Sequence, residues 1–308
     1  MTSRQPIAVL GATGNQGGHV ARALLKAGWP VRATTRHPES PRARALASYG
    51  AELIQADMGD VNTLIRAFEG AGGIFSVQNF WDLGLSEEVR LGTNVIEAAQ
   101  RVGNPHVVYS SGLGAERRQG VAAIDGKAIL EERLRQSRLP FTIIRPALFM
   151  DDFLGASLPF AWPVRAALGR RRQLVGRLFL ATLRAVAPVP STVPITTLKD
   201  VGRVAAWAWE AGAISNNETY DLVADCQTAT NLCQQWERFT GKHVPLVPGM
   251  KLAIRIAHRH MADLLDWLRA CPCAVTTSPF PLTGFADWLN GLRASSLRSH
   301  RKPASCER

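Results

Sequence analysis

The chain of 308 residues contains no apolar run approaching the roughly 18 residues that a membrane-spanning helix needs. Its most apolar stretch, Leu174 to Pro190, is broken by Arg177 and Arg184. Near the start, Ile7 to Leu10 runs at once into a glycine loop, whereas an export signal needs a longer apolar core. Cysteine is scarce: five residues, no Cys-x-x-Cys, and a Cys271-Pro272-Cys273 pair with no second pair to complete a zinc site. Such scattered cysteines read as reduced thiols in a cytoplasmic protein. His258 and His260 lack the i, i+4 spacing of two ligands on one helix face, so no metal is expected. Acids are absent from Phe153 to Lys199, a stretch holding seven bases, Arg165, Arg170, Arg171, Arg172, Arg177, Arg184 and Lys199. Most of the formal net charge of +11 is therefore local to one segment.

What is present first is enough apolar residue, 46%, to bury a sizeable core, which excludes a disordered or fibrous chain. Strand patterns occur at Ile7–Leu10, Val31–Thr35, Glu52–Gln55, Gly73–Val77, His106–Tyr109 and Phe141–Ile144. Amphipathic segments such as Gly18–Ala27 and Glu87–Val102 lie between them, with apolar residues recurring at three and four. Strands alternating with helices give right-handed βαβ units and a parallel sheet covered on both faces. The predicted fold is α/β, a doubly wound parallel sheet over residues 1–152, with a smaller, mostly helical C-terminal region over 153–308. After Pro146 the alternation breaks, and residues 191–224 are expected to return to the sheet. Asp200–Ala211 reads as a helix capped by Asp200, Thr219–Val223 as a strand, and Thr228–Thr240, Leu252–Leu268 and Phe285–Leu292 as helices.

Between the first strand and first helix lies Gly11-Ala12-Thr13-Gly14-Asn15-Gln16-Gly17. In such a loop the first glycine permits a tight turn, the second lets backbone approach a pyrophosphate, and the third lets helix and strand pack closely. The end of the second strand chooses the cofactor. A carboxylate there would hold the ribose hydroxyls of NAD, but this chain has Thr34-Thr35-Arg36-His37 and no acid before Glu39. A guanidinium at Arg36 suits a 2′-phosphate, so NADP(H) is the expected cofactor. Asp57 and Met58, after the third strand, either face the adenine or, for Asp57, cap the helix beginning near Val61.

Taken with Gln78-Asn79-Phe80-Trp81, Val108-Tyr109-Ser110-Ser111, Asp125-Gly126-Lys127 and Ile144-Arg145-Pro146, these residues resemble the NmrA-like branch of the atypical short-chain dehydrogenase/reductase superfamily, NADP-binding proteins of Rossmann fold. The resemblance implies that Gly11, Ala12, Thr13, Gly14, Asn15 and Gln16 cradle the pyrophosphate and that Arg36 holds the 2′-phosphate. It further implies that Asp57 and Met58 border the adenine and that Gln78, Asn79 and Phe80 line the nicotinamide half. Lys127 would reach the nicotinamide ribose, and Phe149 and Met150 would close over the ring. Ser111 stands where the superfamily places its catalytic serine. Ala123, four residues before Lys127, stands where conventional members carry the catalytic tyrosine.

Lys127 is unusual by itself. With Asp125 as N-cap it would sit in the first turn of a helix running to about Gln136, where a cation opposes the helix dipole and a general acid or base finds its pKa lowered. Two functions fit. One is an NADPH-dependent oxidoreductase for a small, apolar, quinone- or enone-like acceptor, with Lys127 and Ser111 as catalytic residues. The other is a non-catalytic NADP(H)-binding redox sensor acting through a protein partner. The basic segment has three readings of its own. It is a substrate lid, with Phe153, Leu154, Leu158, Phe160 and Trp162 as apolar area, or a membrane-surface helix over 160–190. Nucleic-acid binding is the least favoured, because the charge comes with no reading element or stacking platform.

Overall fold

The computed structural model describes residues 4–117, 120–154, 172–187, 190–257, 259–270 and 277–299. Leu158, Phe160, Trp162, Arg165, Arg170, Arg171, His258, Cys271 and Cys273 lie outside the described residues, and with them most of the expected lid or membrane segment.

Six strands form where the apolar runs place them: β1 (Ile7–Val9), β2 (Val31–Thr35), β3 (Glu52–Gln55), β4 (Gly73–Ser76), β5 (His106–Ser110) and β6 (Phe141–Pro146). With β9 (Glu218–Leu222) they make one parallel sheet in the order β3-β2-β1-β4-β5-β6-β9. The order turns back between β1 and β4, and ligands bind in such sheets beyond the carboxyl ends of strands at that point. The period of two along β1 sorts its side chains. Ile7 and Val9 join a core with Val20 and Leu24 of α1 (Asn15–Lys26) and Val201 and Ala205 of α7 (Leu198–Ala211). Ala8 and the following Leu10 join the opposite core, with Leu64 and Phe68 of α3 (Val61–Phe68), Val95 of α4 (Phe80–Arg101) and Leu130 of α5 (Ala122–Gln136). The remaining helix of this half, α2 (Pro41–Ser48), is capped by Ser40.

Trp209 of α7 covers the sheet so closely that a Cβ on Gly73 would lie 2.1 Å from its indole nitrogen. This helix is capped by Thr197, whose hydroxyl accepts from the Asp200 amide. Asp200 is thus not the expected cap. It sits buried in the first turn, where it accepts from Arg203 at 2.7 Å and from the Thr283 amide at 2.8 Å.

The C-terminal region has its own core and a small second sheet that periodicity did not reveal. There β8 (Thr192–Thr196) pairs antiparallel with β10 (Asp225–Thr228) and parallel with β7 (Leu148–Phe149). Around it stand α6 (Arg172–Val186), α8 (Ala229–Thr240), α9 (Met250–Ala257), α10 (Arg259–Ala270) and α11 (Phe285–Ser299), so the single helix expected over Leu252–Leu268 is two. Val175, Phe179, Leu180 and Leu183 of α6 are buried, and Gly176 lets the Trp236 ring approach to 2.3 Å from where a Cβ would stand. Of these, Phe179, Leu180, Leu183 and Trp236 belong to the C-terminal core.

Cys226 is disulfide-bonded, which corrects the reading of reduced thiols at that position. Cys233 is free, and burial pushes its thiol up to about 11. Among the described residues no helix is long and apolar enough to cross a membrane, and no group of three or more His, Cys, Asp or Glu could hold a metal.

Candidate functional site

The glycine loop is a backbone device. Gly11 adopts φ 61°, a conformation side chains disfavour, and the Gly14 amide closes the turn onto the Gly11 carbonyl at 2.8 Å. A Cβ on Gly17 would lie 2.4 Å from that same carbonyl oxygen. Helix α1 starts at Asn15 with no side-chain cap and no acid in its first turn, the kind of helix start that suits an anion. Gln16 is held by Ser110 of β5, whose hydroxyl donates to the Gln16 side-chain oxygen at 2.6 Å. Ala12 is 1% exposed and packs into the core beneath the loop. The loop residues Gly11, Thr13, Gly14, Asn15, Gln16 and Gly17 line the cleft, and Ala12 does not.

That cleft has a volume of ≈ 550 Å³ and runs across the carboxyl ends of the strands. At one end stand Thr35, the last residue of β2, Arg36 and His37 after it, and Asp57 and Met58 after β3. The open question about Asp57 is answered by the helix start. Asp60 caps α3 by accepting from the Asn62 amide, while Asp57 accepts from the Gly59 amide and borders the cleft. Gln78, Asn79 and Phe80 follow β4, with Gln78 tied to Ser76 and Asn79 capping α4. Just beyond, Gly84 at φ 75° breaks α4, so Phe80 to Leu83 form a separate turn at the cleft wall.

Lys127 lies in the cleft, but not for the reason expected. Helix α5 starts at Ala122 after Val121, with no side-chain cap, so Asp125 is in the first turn and Lys127 in the second. The helix dipole therefore does not explain the lysine. Its ammonium donates to the Gln78 carbonyl at 2.8 Å and pairs with Glu88 Oε1 at 2.6 Å. Glu88 is fully buried on α4 and escaped the sequence reading. A signal was present: it stands three before Leu91 and seven before Val95, on the apolar stripe of its helix. Ala123 lines the cleft four residues earlier and offers no proton.

Ser111 also lines the cleft, and its hydroxyl donates to Glu131 Oε1 at 2.6 Å. Glu131 is held as well by Arg145, at 2.8 Å from Nε and 2.6 Å from the second nitrogen, and by Arg135 at 2.9 Å. Burial alone would raise the Glu131 carboxyl, but these donors outweigh it and hold it below the ordinary carboxylate range. The Ser111 proton is thus committed to an anion, leaving its lone pairs for the cleft. Arg145 also pairs with Glu116 at 2.9 Å. Tyr109 is buried, and desolvation followed by the fields of Glu88 and Glu131 raises its phenol well above the usual value. It packs in the core, away from the cleft.

Away from the glycine loop the cleft is lined largely by apolar side chains, Phe80, Trp81, Leu113, Phe149 of β7, and Met261 and Leu264 of α10, together with the carboxylates Asp82 and Asp152. Register places Phe149 beside Thr196, and the chain then turns inward. Met150 is fully buried in the C-terminal core and does not line the cleft, a departure from its expected place over the ring. Met261 and Leu264 were not anticipated, because nothing local marks a helix residue that reaches a distant pocket.

A glycine loop at the switch point of a parallel sheet, with an arginine after β2, defines a dinucleotide-binding α/β protein. The profile of the NmrA-like family matches residues 3–252, and the chain belongs to that family. Among curated relatives it is 39% identical over 160 residues to the NmrA-like family domain-containing oxidoreductase FrzB of a Cladobotryum species, covering 48% of each chain. It is 46% identical over 159 residues to the oxidoreductase hkm9 of Aspergillus hancockii, again covering 48% of each. The chain thus spans about half the length of these relatives. Similar solved structures include the Escherichia coli NADPH-dependent quinone oxidoreductase QOR2 with NADPH, with a TM-score of 0.71, 20% identity, and 94% of this chain and 99% of that one covered. Citrobacter triphenylmethane reductase with NADP(H) gives 0.69 at 21% identity, with 93% and 99% covered. NmrA, a negative transcriptional regulator in complex with NADP, gives 0.68 at 20% identity, with 98% and 93% covered.

Proposed function

We propose that the protein is an NADP(H)-dependent oxidoreductase that reduces a small, apolar, conjugated acceptor of the quinone or enone class. The observation that carries this reading is the cleft itself. One end offers uncapped amides and Arg36 to phosphates, and the other is walled by Phe80, Trp81, Leu113, Phe149, Met261 and Leu264. The residues fit the cofactor, because the loop bordering the cleft is held tight by glycines: Gly11 takes φ 61°, and a Cβ on Gly14 or Gly17 would lie 3.1 or 2.4 Å from the Gly11 carbonyl oxygen. Bound there, the nicotinamide supplies a hydride. Arg36 holds the 2′-phosphate, the first turn of α1 holds the pyrophosphate, and Asp57 and Met58 flank the adenine. Lys127 donates one N–H to the Gln78 carbonyl and lies in ion-pair contact with Glu88, which leaves donor capacity for a ribose hydroxyl or for the acceptor oxygen. Ser111, with its proton given to Glu131, serves the site as a fixed acceptor and not as the acid. An acceptor that leaves as a stabilised phenolate or enolate needs no phenol at position 123, which is why a quinone or enone suits Ala123 better than a simple ketone does. The kinship to oxidoreductases, and the quinone and dye reductases among similar folds, support the same direction.

A second reading, an NADP(H)-binding redox sensor with a protein partner, is favoured by one observation: neither Ala123 nor Ser111 has a proton to give. NADPH oxidation by the purified protein against a quinone and enone panel separates the two. Turnover of any acceptor, slowed in Lys127→Ala, supports the enzyme. Tight NADPH binding with no turnover across the panel overturns it in favour of the sensor.

A further inference from the structure

We infer that Glu88 is the positioning residue of the nicotinamide end, fixing the Lys127 ammonium where a bound cofactor meets it. The inference rests on the proposal that this cleft holds NADP(H), and goes beyond it in assigning a residue that does not itself line the cleft.

Glu88 is fully buried in the middle of α4, and Lys127 is its ion-pair partner among the described residues, at 2.6 Å. Packing gives no reason for a carboxylate there. Leu91, Val95 and Ala99 continue the same stripe into the sheet core, and an apolar residue in place of a buried ion pair is commonly neutral or stabilising. The neighbouring backbone is shaped around the carboxylate as well. A Cβ on Gly126 would lie 2.5 Å from Glu88 Oε2 and 3.0 Å from Leu85, so α5 carries a glycine one residue before the lysine at the point where the acid crosses to it. The second anchor, the Gln78 carbonyl, lies just after β4, and Gln78 itself lines the cleft. Two anchors from different elements, one charged and one neutral, define the ammonium's position without occupying all its donors. Lysine carries a long, flexible stem, and what a single anchor leaves loose a second one fixes.

The test separates position from stability by using two ligands. NADPH spans both ends of the cleft, whereas adenosine 2′,5′-bisphosphate fills the adenosine end alone. Affinities for both are measured for the wild type, Glu88→Gln, Lys127→Met and the double variant Glu88→Met/Lys127→Met. Expected is a loss of about tenfold for NADPH in Glu88→Gln, the scale of one charge-assisted hydrogen bond, with the bisphosphate unchanged. The double variant, which removes both buried charges together, should bind NADPH no more weakly than Lys127→Met, because Glu88 acts only through the lysine. If Glu88→Gln does not fold, the double variant against Lys127→Met decides, and a further tenfold loss in it overturns the assignment. Wild-type NADPH affinity in Glu88→Gln, or equal weakening of both ligands, overturns it too. Failure of the wild type to bind NADPH would instead remove the cofactor reading beneath it, while binding without turnover leaves Glu88's role intact and removes only the enzyme.

Discussion

The two ends of the cleft are built on different principles. The phosphate end is made of backbone: a turn at Gly11, a carbonyl that excludes a Cβ at Gly17, and the uncapped amides of α1. The nicotinamide end is made of side chains brought from far apart, Lys127 with Glu88 and Gln78, Ser111 with Glu131 and Arg145, and Met261 and Leu264 from a helix beyond residue 258. Backbone geometry is local and fixed by a few glycines. Buried charges are interdependent, and each needs its partner to justify its place. The first end should therefore be sensitive to added atoms, and the second to removed ones.

The largest effect is expected where a removed partner strands a charge. Arg145→Met leaves Glu131, 1% exposed, with only the more exposed Arg135 as counter-charge, and should lower unfolding free energy by about 3–5 kcal/mol in denaturant titration. A loss below 1 kcal/mol would mean the network is not what holds this end together. Next is acidity. Burial lowers the His106 pKa from the ordinary 6.5 to about 4, so the folded chain keeps it neutral where the unfolded chain takes a proton. Stability should fall as pH drops from 6.5 to 4, by up to about 3 kcal/mol, and this contribution should level off below. In His106→Gln that slope should flatten, with NADPH binding at neutral pH unchanged, since His106 opens β5 at the end away from the cleft.

At the phosphate end, Gly17→Ala puts a methyl against the Gly11 carbonyl and should cost about 1–3 kcal/mol, read as a roughly tenfold to hundredfold loss of NADPH affinity. Affinity equal to wild type would show that the loop can yield and that the contrast between the ends is not one of rigidity. Arg36→Ala should weaken NADPH by about tenfold and leave NADH unaffected, the signature of a lost 2′-phosphate contact. The smallest change is expected from Leu264→Ala: KM for an apolar acceptor raised a few-fold, about 1 kcal/mol of contact, at constant NADPH affinity. A rise in the NADPH constant instead would place α10 over the cofactor.

The contrast also explains what could be read in advance. Six strands, their order of appearance and the glycine loop were legible because each follows from neighbours in sequence: period two, a turn, a helix start. Lys127 was legible as unusual, yet the reason offered for it was wrong, because helix α5 begins four residues earlier than an Asp125 cap would place it. The second sheet of β7, β8 and β10 was not legible, since β7 has only two residues and its partners come 43 or more positions later. The apolar, arginine-bearing stretch of α6 reads first as part of a substrate lid and second as an interfacial helix, and its packing against Phe153, Trp236 and their neighbours is visible only in the fold.

By itself the sequence determined a parallel α/β sheet, the place of a phosphate-binding loop and the arginine after β2, all short-range features in which backbone conformation follows from a handful of residues. Only the tertiary structure decided that Glu88 pairs with Lys127, that Glu131 holds the Ser111 proton, that Met150 turns into the core, and that α10 walls the far end of the cleft. Those are contacts between residues 20 or more positions apart, and a charge or a methyl group finds such a partner only once the chain has folded.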